Sequence, residues 1–309
     1  MHVAIVGAGA LARVYGVRLS LRARATVTLV VRPQRCDDRR PLRIERIDGD
    51  REVDTWEEPV LAARVPEGAE IVLVTVRAEQ LDMALDALLD GTKAPVVVLT
   101  PMMPGDHGRL VTRYGSRLVP GMAGVVAYVD DAGHCRYWLP RSTTTLLDDG
   151  AKGSPAPENL VRALTAAGIT ARLEPHVQEA NLATTVAIVP AAMGIDAAGS
   201  IDALLVDATL RDLTVGAVKE GLALSSRLGK GASWLGYLTP FVGKTMLRVG
   251  ASLGKSRSPE AFAYVEEHFG RKLHAQNVAM GREAIELAKS KGTPCTAMQG
   301  LLRAMRGPQ

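Results

Sequence analysis

Cysteine is scarce in this chain. Cys36, Cys135 and Cys295 are odd in number and widely spaced, with no histidine at ligand spacing beside them. A disulfide framework and a zinc-type site are therefore both excluded from the expectation, and the usage fits a reducing cytoplasm. The longest apolar runs, 3–12 and 186–195, fall short of the ~20 residues that cross a bilayer. No basic segment precedes the first run, so neither a membrane span nor a signal peptide is expected. Dense Lys/Arg patches with interleaved aromatics are missing as well, which argues against a nucleic-acid partner. Two gaps are local: no lysine lies between Lys152 and Lys219, and no acidic residue between Glu220 and Glu260.

What remains is an ordinary globular composition, 47% hydrophobic and 23% charged with a formal charge of +4. That mild positive balance suits an anionic cofactor or a small-molecule substrate. A chain of 309 residues exceeds what one core usually supports, so two domains are the first expectation.

The first sixteen residues carry the clearest signal. A β-branched run, Val3 to Val6, opens into Gly7-Ala8-Gly9-Ala10 and then into an apolar-periodic stretch through Leu11, Val14, Tyr15 and Leu19. The pattern predicts strand, tight turn and helix, the form of a pyrophosphate cradle. Gly7 can turn without a Cβ penalty, and Gly9 lets the backbone approach a phosphate pair at the helix start. Ala12 stands where the third glycine of the fingerprint would be, and a small residue suffices there. A second strand over 26–31 ends at Arg32, where an NAD site would place Asp or Glu on the ribose hydroxyls. Arg32 and Arg35 offer positive charge to a 2′-phosphate instead, which favours NADP(H); the alternative is that both are solvated loop arginines.

Further along, 36–70 reads as charged and irregular with a hairpin near Asp48-Gly49. Ile71 to Val76 is a buried-strand pattern with Arg77, Glu79 and Gln80 just past its carboxyl end, where open α/β sheets contact ligands. A helix over 81–89 and a strand over 95–99 lead to the loop Thr100-Pro101-Met102-Met103, expected to face the cofactor. Short strands follow at 118–119, 125–129, 135–139 and 143–147, then a helix over 158–167 and a strand over 171–173. From Pro175 onward the period is helical throughout, over 177–192, 203–228, 259–269 and 273–291. The expected fold class is α/β: a Rossmann-type dinucleotide-binding domain over 1–172, then an all-helical domain over 173–309.

These features together resemble the ketopantoate reductase family: the glycine turn ending in Ala-Leu, Val74-Thr75-Val76-Arg77-Ala78-Glu79-Gln80, the turn after Leu99, Val119-Pro120-Gly121, the helix leading to Pro190, and Gly270-Arg271-Lys272. The resemblance covers nearly the whole chain. It implies a Rossmann domain followed by a helical one, NADPH and substrate in the cleft, and reduction of a 2-keto acid with a lysine as proton donor. Carried over by position, the cofactor contacts are Gly7, Ala8, Gly9, Ala10, Leu11, Ala12, Arg32, Thr75, Arg77, Gln80 and Pro101, the last in place of an asparagine. The catalytic lysine falls on Asn181 and an asparagine one turn later on Thr185. An ungapped count from Gly270 puts the substrate glutamate on His274 and a serine on Phe262. Asn181 cannot transfer a proton, whereas His274 can, so His274 is the candidate relocated acid; its alternative role is that of a hydrogen-bonded structural histidine.

One segment departs from background. Between Glu220 and Glu260 lie Arg227, Lys230, Lys244, Arg248, Lys255 and Arg257 with Trp234, Tyr237 and Phe241, among many glycines. This reads either as a lid closing over an anionic, partly apolar ligand or as a solvated face with core or dimer-contact aromatics. The function classes left open are an NADPH-linked reductase of a substrate other than ketopantoate, in specialised metabolism, and a nucleotide-binding regulatory protein without turnover. A homodimer is compatible with either.

Overall fold

The computed structural model describes residues 1–38, 40–49, 51–88, 92–130, 132–140, 143–149, 154–229, 237, 239–257, 259–267 and 273–305. The chain divides into two units, Met1–Gln178 and Glu179–Gln309. The division falls six residues beyond the expected boundary. Strand β12 (Ala171–Leu173) still belongs to the sheet of the first unit through its pairing with β11 (Thr145–Leu147).

The first unit is built on an eight-stranded sheet. Its order is β12-β11-β8-β7-β6-β1-β2-β5, with β1 His2–Val6, β2 Thr26–Val30, β5 Leu61–Ala62, β6 Ile71–Val74, β7 Val96–Val98 and β8 Leu118–Met122. All neighbours are parallel except β8 and β11. Alternation along β1 separates two cores. Val3 and Ile5 pack with helices α1 (Ala10–Leu21) and α4 (Ala156–Ala166), while Ala4 and Val6 pack with the side of α2 (Leu81–Leu88) and α3 (Pro104–Tyr114). The β-branched residues of these strands are almost all fully buried, as expected for a parallel sheet covered on both faces.

The stretch 36–70 is more ordered than its charge suggests. Strands β3 (Leu42–Arg46) and β4 (Val53–Trp56) form the expected hairpin, and with β9 (Val126–Val129) and β10 (Cys135–Trp138) they make a second, four-stranded sheet. Arg18 of α1 is only 3% exposed and lies 3.2 Å from both Asp54 and Glu52. A buried cation held between two acids ties the helix behind the glycine turn to this small sheet.

In the second unit the described residues hold only helices: most of α5 (Val177–Ala198), then α6 (Ile201–Val206), α7 (Ala208–Ser225), α8 (Lys244–Arg257), α9 (Pro259–Glu267), α10 (His274–Ser290) and α11 (Thr296–Ala304). The pattern over 203–228 is two helices, because Asp207 leaves helical geometry and caps α7 with its side chain on the Leu210 amide. Few aromatics are available, so small residues set the packing. A Cβ on Gly194 would strike Thr214, and one on Gly221 would strike the Val186 carbonyl, which Pro190 leaves without its helical donor. Helix α5 is long and apolar enough to cross a membrane, a point the sequence runs understate. Half of its apolar window is nevertheless buried among protein, as in a core helix.

The glycines do not keep the described part of 227–257 from being helical. Residues 244–257 are helix α8, and Gly254 is where the Phe262 ring of α9 packs against it. Its lysines serve the unit itself: Lys244 pairs with Asp212 at 2.7 Å and Lys255 with Asp202 at 2.6 Å. Lys230 and Trp234 lie outside the described residues, as do Gly270, Arg271 and Lys272.

Candidate functional site

The chain turns to opposite sides of β1: β2 and β5 lie one way, β6, β7 and β8 the other. Such a switch point leaves a crevice at the carboxyl ends of the strands. A cleft of about 540 Å³ opens there, lined by the loops after β1, β2 and β6 and by one side of α2.

Each loop is held by identifiable bonds. The Gly7 amide donates to the Val30 carbonyl at 3.0 Å, and Thr75 donates to the Val6 carbonyl through both its amide (3.2 Å) and its Oγ1 (3.1 Å). Gly7 adopts φ 117°, and a Cβ on it would lie 3.2 Å from Thr75 Oγ1, so conformation and space both require glycine. Gly9 differs. Its φ of −73° suits any residue, and a Cβ there would meet nothing within 4 Å. The protein itself therefore makes no demand for glycine at 9, but a ligand lying on the turn would. Gly9 caps α1, whose first turn carries no side-chain cap and no acidic residue. Those unpaired amides and the helix dipole suit an anion.

The charge of the cleft is positive. Arg32, Arg35 and Arg77 line it and, among the described residues, no carboxylate does. Arg32 is exposed and forms no ion pair with the described residues, whereas Arg35 lies 3.5 Å from Asp38 and Arg77 3.4 Å from Glu79. Asp38 is itself held well below the usual carboxylate range, chiefly by its hydrogen bonds from Arg40.

Of the expected contacts, Gly7, Ala8, Gly9, Arg32, Thr75, Arg77 and Gln80 line this cleft. Ala10 and Leu11 start α1 behind the turn, Ala12 is buried in the core, and Pro101 lies in the loop after β7. The close helix–strand approach that the third glycine of such a motif provides is made here at Gly16, where a Cβ would lie 3.2 Å from Leu29. Val30, Val31, Pro33, Met83 and Ala84 also line the cleft without having been singled out. Met83 is 59% exposed.

The second unit does not gather its expected residues. Asn181 is buried, 4% exposed, early in α5. Thr184, not Thr185, returns its hydroxyl to its own helix, at 2.8 Å from the Ala180 carbonyl. His274 Nδ1 lies 3.0 and 3.1 Å from the two oxygens of Asp196, whose Oδ2 also accepts from Asn277 Nδ2 at 3.1 Å. Asp196 is fifteen residues beyond Asn181 on the same helix, about 22 Å along its axis at the ordinary rise. His274 is thus a partner of a buried aspartate at the far end of α5 rather than a neighbour of Asn181. Phe262 lies elsewhere again, against Gly254 and 5.4 Å from Lys255 Nζ. No group of acids, histidines and cysteines able to hold a metal occurs among the described residues.

Comparison with known proteins agrees with this picture. Residues 3–145 match the family model of ketopantoate reductase PanE/ApbA. No curated protein is significantly similar in sequence. Among solved structures, 2-dehydropantoate 2-reductase from Geobacter metallireducens GS-15 superposes with a TM-score of 0.71 at 19% identity, covering 99% of both chains. D-mandelate dehydrogenase with NADH and anilino(oxo)acetate gives 0.70 at 14% identity, covering 99% of this chain and 97% of that one. The ketopantoate reductase from Ralstonia eutropha JMP134 gives 0.66 at 18%, covering 99% and 97%. The segment 3–145 thus matches the ketopantoate reductase family in sequence, and the whole chain has the fold of that family.

Proposed function

We propose that this protein is an NADP(H)-dependent oxidoreductase of a small 2-oxo or 2-hydroxy acid other than ketopantoate. The observation that carries the cofactor half is Arg32: a cation at the tip of β2 that, among the described residues, has no ion pair and shares its cleft with no carboxylate. The amides at the start of α1 would hold the pyrophosphate over Gly7 and Gly9, and Arg32 with Arg35 the 2′-phosphate. When bound, the nicotinamide supplies or takes the hydride. The chain's part is to place it, to keep water out and to steady the substrate oxygen.

The substrate half rests on Asn181 and Thr185. An asparagine amide can donate a hydrogen bond to a carbonyl oxygen but supplies neither proton nor positive charge, so a substrate that needs a strong acid is a poor one. The fold carries related chemistry on other acids, as the D-mandelate dehydrogenase structure illustrates. A second reading, a nucleotide-binding regulatory protein without turnover, draws on the same Asn181 and on the polar groups of the second unit being bonded to one another.

The test is a titration of NADPH and NADH by fluorescence, followed by NADPH oxidation across a panel of 2-oxo acids. A charge-assisted phosphate contact is worth about 1.5–3 kcal/mol, so NADPH should bind roughly ten- to a hundredfold more tightly, and Arg32→Glu should abolish that preference. Equal affinities, or an unchanged preference in Arg32→Glu, would overturn the cofactor assignment. Binding without turnover on any acid would favour the regulatory reading.

A further inference from the structure

The lining of the first unit's cleft is of two kinds. Arg32, Arg35 and Arg77 supply charge, whereas Val31, Pro33, Val76, Met83 and Ala84 are apolar. Cations alone would suit inorganic phosphate. Cations beside an apolar wall suit a ligand that is anionic in one part and apolar in another.

Helix α2 shows which of its side chains the fold itself does not use. Leu81 and Leu85 are buried in the core with Val72, Val74 and Val96 of the sheet. Asp82 serves α3, its Oδ2 accepting from Arg109 Nη2 at 2.8 Å. Met83 belongs to neither contact. A single exposed methionine is ordinary on a protein surface, but this one lines the cleft together with Gln80 and Ala84, at the exposed rim. Across β1 from it stand Val31, Arg32 and Pro33 at the end of β2. Two strand spacings separate β2 from β6, about 10 Å, which leaves room for a flat ring between the side chains that follow them.

In a dinucleotide the purine base shares its ribose with the 2′-phosphate, so a phosphate held on Arg32 leaves the base within one sugar's length of that residue. The apolar side chains within that reach are Pro33 on the β2 side and Met83 on the α2 side. An unbranched, polarisable thioether makes favourable contact with an aromatic ring. We propose that Met83 forms one wall of the seat for the purine base, so that the base is held by α2 while the phosphates are held by the glycine turn and the arginines. This rests on the dinucleotide reading above. It adds a residue that fixes the base independently of the charge.

The experiment separates base from phosphate. Dissociation constants are measured for NADP⁺ and NAD⁺, which share the base and differ in the 2′-phosphate, and for inorganic pyrophosphate, which has no base. Met83→Ser should weaken NADP⁺ and NAD⁺ about tenfold each, with their ratio and the pyrophosphate affinity as in wild type. Met83→Leu keeps an apolar wall of similar volume, so both dinucleotides should bind within about twofold of wild type. Undiminished NADP⁺ affinity in Met83→Ser, a changed ratio of NADP⁺ to NAD⁺, an equal loss of pyrophosphate, or a Met83→Leu as weak as Met83→Ser overturns the proposal while leaving the dinucleotide reading intact. Wild type that binds neither dinucleotide overturns that reading, and this one with it.

Discussion

The candidate polar groups of the two units differ in what surrounds them. In the first, two groups at the switch point are open among the described residues: the Cβ position of Gly9 is empty and Arg32 has no ion partner. In the second, the corresponding candidates are bound to one another: His274 and Asn277 to Asp196, Lys244 to Asp212, Lys255 to Asp202, and Arg227 Nη1 to the Lys291 carbonyl at 3.0 Å. Unsatisfied groups in a formed cleft point to an absent ligand, whereas satisfied ones are explained by the fold that satisfies them.

The largest effect that could break this contrast concerns ketopantoate. A positioned acid contributes typically 10²- to 10⁴-fold to proton transfer, and Asn181 has none to give. The expected deficit against a functional relative exceeds ~10³, measured as NADPH oxidation with ketopantoate in wild type and in Asn181→Lys. Wild-type turnover at the ordinary rate of roughly 1 to 10³ per second would show that the carry-over to Asn181 is misplaced. Because His274 is engaged by Asp196 far along α5, His274→Gln should leave that residual turnover where it was.

A second effect sharpens the first half of the comparison. Gly9→Val adds a side chain into open space at ordinary φ, so stability should change by no more than about 0.5 kcal/mol. NADPH affinity should nonetheless fall by on the order of a hundredfold, since the branched side chain occupies the approach to the amides of α1. Gly7→Val should instead lower the melting temperature, because φ 117° and the Thr75 contact strain the fold itself. If Gly9→Val binds NADPH normally, the empty space at Gly9 has another explanation.

How far the sequence could be read follows the same division. Gly7, Arg32 and Thr75 were legible because a pyrophosphate turn is a local pattern, set by a few consecutive residues whose backbone geometry the glycines announce. The α/β-then-helical order was legible from periodicity. The bond from Gln178 to the Met102 carbonyl was not, since the two lie seventy-six residues apart and no local pattern links them. His274 looked catalytic because a count from Gly270 put it there; its engagement by Asp196 is a tertiary fact. Helix α8 was obscured by Gly250 and Gly254, which read as helix breakers in isolation. At Gly254 the lost propensity is offset by the close seat it gives the Phe262 ring.

That seat supplies the third effect. A Cβ on Gly254 would lie 2.8 Å from Phe262 Cδ2, so Gly254→Leu forces α8 and α9 apart and should cost about 1–3 kcal/mol as overpacking, visible in chemical denaturation. NADPH affinity should not follow, because the cleft belongs wholly to the first unit. A stable Gly254→Leu would mean that the two helices are not packed through this residue.

The smallest effect is a pH dependence that isolates one residue of the first unit. His107, in the first turn of α3, has its pKa lowered by burial, only partly offset by the charge of Asp148. The folded state therefore binds fewer protons at this site than the unfolded chain, whose histidines titrate near 6.5. Stability must then rise with pH through the window below about 6.5 and be level above it. Acidification from pH 7.5 to 5.5 should cost the wild type more than it costs His107→Gln, which has no proton to take up. Asp148→Asn removes the opposing charge and should enlarge the acid loss, so the three proteins rank in a fixed order in paired denaturation curves. If His107→Gln loses as much as wild type, burial of His107 is not what the acid limb reports, and the polar economy claimed for this unit stops at its cleft.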